Sequence, residues 1–122
     1  MSTDLRPDAL ASASCSPVDA STPALSTDEV RRLAAGIDPA WDVQPDRLVR
    51  SIAFSTFGAA FAFATRIALL AETQNHHPTM EIAWGRLVVT WQTDAIGGLT
   101  GNDLIMAAKV DRLVARGLGI KD

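Results

Sequence analysis

Hydrophobic and polar positions along this chain fall into blocks of different period. Up to Pro23 large aliphatic side chains are sparse and Ser, Ala, Pro and Asp dominate. Such a stretch buries too little to offset its ordering entropy, so residues 1–25 are expected to form a disordered tail. At Ser26 the pattern changes. S-T-D-E offers Ser26 as an N-cap with Glu29 at the capping-box position, while Leu25 and Val30 can form the hydrophobic staple. A short helix is predicted to follow and to end near Gly36, a natural left-handed stop. Trp41–Gln44 and Arg47–Phe54 then flank the turn pair Pro45-Asp46, and the second run alternates loosely, which predicts an antiparallel hairpin.

From Ser55 to about Asn75 the period becomes helical. Phe54, Phe57, Phe61, Ala64, Ile67, Ala68, Leu70 and Ala71 cover an arc wider than the roughly 100° that one buried face needs. The excess predicts burial on a sheet plus contact with another subunit. Gly58 and Ala62 leave a strip of small residues beside it. Pro78 disfavours helical geometry at the residue before it, so the helix must stop near Asn75 or His76. Met80–Trp84 and Leu87–Trp91 read as two more strands around Gly85-Arg86, and Gly97-Gly98 ends the sheet. Thr100 as N-cap, Asp103 at the third helical position and the Leu99–Leu104 staple open a last helix that runs to Arg116. The order α-β-β-α-β-β-α predicts an α+β domain: a four-stranded antiparallel sheet with helices packed largely on one face.

Composition narrows the class. The chain has 122 residues and a formal charge of −3, with 11 basic and 14 acidic side chains and no Lys/Arg block, which argues against a binder of nucleic-acid backbones. The apolar run Phe57–Ala64 is short and followed by Arg66, so no membrane span is expected. Residues 1–25 lack a continuous apolar core of the signal-peptide kind, and the lone Cys15 suits a reducing compartment; the expected location is the cytoplasm.

Both histidines, His76 and His77, sit side by side at a predicted helix exit, with Glu72 ahead of them and Pro78 behind. Imidazole is the side chain whose ordinary titration lies near neutrality, and a loop on a rigid element is a good place to aim one at a cleft. A solvated loop is the alternative reading. Zinc could draw on the two histidines with Glu72, Glu81 or Asp94. Adjacent histidines in an extended segment point to opposite faces, however, and no H-E-x-x-H helix is present, so neither metal nor cofactor is expected.

E-x-x-x-H-H-P from Glu72 to Pro78, the aromatic Trp84, T-D-A-I-G-G-L-T from Thr93 to Thr100 and then Asp103 together resemble the pterin-4a-carbinolamine dehydratase family. The likeness extends through W-D-V-Q-P-D-R-L-V-R-S-I-A-F before and N-D-L-I-M-A-A-K-V-D-R-L after, and covers about residues 26–117, leaving 118–122 as a short C-terminal tail. Where the family carries a third histidine this chain has Asp94. The resemblance implies dehydration of a 4a-hydroxytetrahydropterin to the quinonoid dihydropterin, which recycles the pterin of aromatic amino acid hydroxylases. It implies His76 as general acid or base, His77 against the pterin, and Asp94 in place of the third imidazole. Glu72, Trp84 and Asp103 match positions that it assigns to the pterin site. Three of these have alternatives in the residues themselves: Asp103 as a helix cap, Trp84 as core, and Glu72 as a carboxylate at a helix end, where the dipole disfavours it. The family also implies a homodimer or homotetramer. Because Asp94 donates protons poorly at neutral pH, two other classes stay open. One is a catalytically silent relative that acts as an assembly or dimerisation factor for a protein partner; the other is a pterin binder without turnover.

Overall fold

The computed structural model describes residues 5–121. Its elements run α1 (Thr27–Ala34), β1 (Asp42–Val43), β2 (Leu48–Ala53), α2 (Phe57–Gln74), β3 (Thr79–Ala83), β4 (Arg86–Trp91) and α3 (Gly101–Ala115). The order is the expected α-β-β-α-β-β-α. All strand pairs are antiparallel and lie in the spatial order β1-β2-β4-β3, so β1 and β3 form the edges. Alternation explains the single covered face. Leu48, Arg50 and Ile52 of β2 and Leu87, Val89 and Trp91 of β4 point inward and are buried. Val49, Ser51, Val88 and Thr90 face the open side.

Local signals set the helix ends, and the Ser26 cap is the expected one. Ser26 caps α1 by accepting from the Glu29 backbone N–H at 3.1 Å. Thr56 caps α2 in the same way through Ala59 N at 3.0 Å. That helix ends at Asn75, whose φ of 52° is left-handed and turns the chain out ahead of Pro78. Toward the sheet α2 buries Ala60, Phe63, Ala64, Ile67 and Ala71. Phe57 and Phe61 of the wide apolar arc stand 48% and 55% exposed beside the face that the sheet covers, and Leu69, 64% exposed, lies beyond that arc.

Two expectations are corrected. Residues 5–25, expected to be disordered, lie along the domain; Met1–Asp4 fall outside the described residues. A short 3-10 helix over Pro7–Ser12 sets Leu10 into the core at 1% exposure. Beyond it Cys15 N donates to Gln74 Oε1 at 2.9 Å, and Ser16 and Asn102 exchange two hydrogen bonds of 2.9 and 2.8 Å. One buried leucine and paired backbone groups hold a segment whose composition shows no periodicity. Gly36 is the second correction. It is not a left-handed stop, because α1 already ends at Ala34 and Gly36 lacks a positive φ. A Cβ there would lie 2.0 Å from the Pro7 carbonyl oxygen, so the glycine is needed for close approach of the N-terminal turn.

Candidate active site

The exit of α2 delivers the two histidines to opposite sides, as an extended backbone requires. His76 turns inward and is 6% exposed, whereas the His77 side chain is 52% exposed. His76 Nε2 lies 2.7 Å from Asp103 Oδ1, and its ring lies near-parallel to Trp91, 12° between planes and 5.8 Å between centroids. Asp103 is fully buried. Its Oδ2 accepts from Thr93 Oγ1 at 2.7 Å and from the Thr100 backbone N–H at 2.9 Å, the latter closing the capping box of α3. One carboxylate thus caps a helix and holds an imidazole.

An ionised carboxylate only accepts, so His76 Nε2 donates to Asp103, and in the neutral ring Nδ1 is then the acceptor. Among the described residues the fully buried side-chain nitrogens without a partner are Arg50 Nε and Trp91 Nε1. Among the described residues His76 Nδ1 makes no hydrogen bond to the protein, which leaves that nitrogen for another partner. A ring held by one nitrogen with the other open is the geometry a general base needs.

His77 forms the outer layer. Its Nε2 meets Glu72 Oε2 at 2.5 Å, so the carboxylate in the last turn of α2 orients this imidazole. His77 and Asp94 line one small cleft of about 120 Å³ together with Arg47, Thr79, Thr90 and Gln92. Arg47 sits at the start of β2 with its guanidinium on Asp46 at 3.0 Å, and Gln92 Nε2 donates to the Asp46 carbonyl at 3.0 Å. Sequence reasoning missed Arg47 and Gln92. They come from the start of one strand and the end of its neighbour, and Val49 pairing with Thr90 is what sets them together. Two neighbouring pairs divide alike: His76 and Thr93 face inward, His77 and Asp94 outward.

None of the three expected pterin contacts, Glu72, Trp84 and Asp103, lines this cleft, and neither does His76. Asp103 has 0% exposure and is closed to any ligand, because it is spent on the cap and on His76. Trp84 is neither core nor cleft wall: it stands 75% exposed at the β3–β4 turn. Thr79 is at the opposite end of β3, roughly 16 Å away at the usual rise per strand residue. Glu72 is drawn to His77 rather than to a ligand. A larger groove of about 670 Å³ lies between residues 14–26 and the starts of α1 and α3, but its lining contains no histidine. Among the described residues no three of His, Cys, Asp and Glu gather as a metal-ligand set, and no helix is long and apolar enough to cross a membrane.

The α+β domain thus holds a buried carboxylate–imidazole pair, His76 with Asp103, next to a cleft lined by His77 and Asp94. Residues 23–113 match the family model described as pterin 4 alpha carbinolamine dehydratase, and the chain belongs to that family. A relative from Rubrobacter xylanophilus, which carries that enzyme's name provisionally, is 44% identical over 105 residues, covering 85% of this chain and 97% of its own. One from Aromatoleum aromaticum, named in the same provisional way, is 42% identical over 108 residues, covering 87% and 96%. Among solved structures, a transcriptional coactivator/pterin dehydratase from Brucella melitensis aligns with a TM-score of 0.68 and 31% identity over 75% of this chain and 98% of that one.

Proposed function

We propose that the protein dehydrates 4a-hydroxytetrahydropterins to quinonoid dihydropterins and so recycles the pterin of aromatic amino acid hydroxylases. The C4a–O bond breaks, the departing hydroxyl takes a proton to leave as water, and ring N5 gives one up. His76 removes the N5 proton through Nδ1. His77, oriented by Glu72, delivers a proton to the hydroxyl, and Asp94 accepts hydrogen bonds from the pterin in the same cleft. The observation that carries this reading is the His76 ring, held at Nε2 by buried Asp103 and next in the chain to His77, which lines the cleft with Asp94. The test is decay of 4a-hydroxytetrahydropterin with and without the protein, and then with His76→Ala, which should cost roughly 10² to 10⁴ in rate. Decay at the uncatalysed rate with folded wild-type protein would refute the proposal.

The chain works as a homodimer or homotetramer, supported by Phe57, Phe61 and Leu69 exposed along α2. Light scattering at micromolar concentration should return a multiple of the monomer mass; the monomer mass itself would refute this. The lone Cys15, its thiol unpaired, supports a cytoplasmic site of action. A second reading rests on the same exposed strip and on the name of the Brucella relative, which joins dehydratase to transcriptional coactivator. In that reading the α2 face binds a protein partner, and the domain acts with little or no turnover.

A further inference from the structure

Thr93 is a buried polar residue at 1% exposure that the proposed chemistry does not use, and all its hydrogen-bonding groups are engaged. Its hydroxyl has one hydrogen, and Asp103 Oδ2 at 2.7 Å can only accept, so that hydrogen goes to Asp103. The Thr100 hydroxyl at 2.8 Å must then donate to Thr93 Oγ1. The Thr93 backbone N–H donates to the Gly98 carbonyl at 2.9 Å, and its own carbonyl accepts from Ile96 N at 3.1 Å. This residue therefore ties the turn that carries Asp94 to the carboxylate that carries His76.

We infer that Thr93 is a positioning residue: its hydroxyl fixes the rotation of the Asp103 carboxylate, and through it aims the His76 ring. Nothing else replaces it. Asp103 is sealed from water, so a carboxylate oxygen that lost Thr93 would keep the Thr100 N–H as its one donor. With two of its three hydrogen bonds left, the carboxylate can swing, and its bond to His76 opens more often. At 1% exposure Thr93 cannot touch a substrate in the cleft. Its loss acts on ring orientation and not on binding.

The test reads the imidazole directly by NMR and needs no turnover, so it stands apart from the dehydratase proposal, on which only its kinetic arm rests. In full-length wild-type protein the His76 Nε2–H and the Thr93 hydroxyl proton should both be visible and slow to exchange with water. Absence of the hydroxyl signal overturns the inference without any variant. Thr93→Val keeps the shape and should speed exchange of the His76 Nε2–H by about tenfold or more, the factor that losing one hydrogen bond to a charged group corresponds to. Backbone amides of β4 serve as the internal reference and should not change. Thr93→Ser should restore slow exchange. Where turnover is measured, Thr93→Val should lower kcat with KM unchanged. Wild-type exchange in Thr93→Val, or equal acceleration at His76 and in β4, overturns the inference.

Discussion

Replacing Asp103 by asparagine keeps the size of the side chain and removes its charge, and the surrounding donors dictate how the amide must lie. In the wild type Oδ1 accepts from His76 Nε2 at 2.7 Å, while Oδ2 accepts from Thr93 Oγ1 at 2.7 Å and Thr100 N at 2.9 Å. Asparagine offers one oxygen and one NH₂. The Thr100 backbone N–H cannot accept, so the amide oxygen turns to it and the NH₂ faces His76. The opposite orientation would set a buried N–H against another N–H, at about 1–3 kcal/mol. Facing a donor, His76 Nε2 has to accept, and the ring hydrogen moves to Nδ1. That nitrogen is the one required as the base. The cap oxygen survives, so stability should fall by only about 1 kcal/mol, whereas turnover should fall by about 10² to 10⁴, the usual contribution of a placed acid–base group. Decay of 4a-hydroxytetrahydropterin measures the rate, and ¹⁵N shifts of the imidazole report which nitrogen is protonated. A variant protonated at Nδ1 that keeps wild-type turnover would refute His76 as the base.

Asp94→His should raise the rate by supplying a group in the His77 cleft that both donates and accepts near neutral pH, and Asp94→Asn should lower it. Background decay in both variants and the wild type would instead favour the protein-binding reading. Gly36→Ala puts a Cβ where Pro7 O stands 2.0 Å away, so the N-terminal turn must lift and Leu10 loses its pocket. Burial of a leucine is worth ~1.5–3 kcal/mol, and a thermal melt should show that loss; an unchanged melt would count against the packing of residues 5–25. Burial pushes the Cys15 thiol from the ordinary 9.0 up to about 11. For an acid raised in the folded state, the stabilisation is complete below the ordinary thiol range and is lost as pH climbs through about 11. The melting temperature of the wild type relative to Cys15→Ala should fall across that window. A constant difference would contradict it.

Element order and most boundaries were legible because local chemistry sets them: Ser26 and Thr100 as caps, Pro78 as the reason the long helix stops at Asn75, and period-two alternation in β2. The N-terminal segment was not legible. Its order depends on Leu10 reaching the core and on Asn102 and Gln74, which lie far along the chain and leave no periodic trace in residues 5–25. Gly36 was misread for the same reason, since its constraint comes from Pro7 across space rather than from its own helix.

The candidate site divides along the same line. By itself the sequence determined which chemistry the chain can offer: a carboxylate, two adjacent imidazoles at a helix exit, a capping aspartate, and Asp94 in the turn after the last strand. Tertiary structure alone decided the assignments among them. It set Asp103 on His76 and Glu72 on His77, sent Trp84 to the far end of the hairpin, and added Arg47 and Gln92 to the cleft. The physical reason is range. Caps and periodicity act within one turn or one strand pair, while the donors that orient an imidazole come from whichever elements the sheet register and the core happen to bring within 3 Å, about the reach of a hydrogen bond.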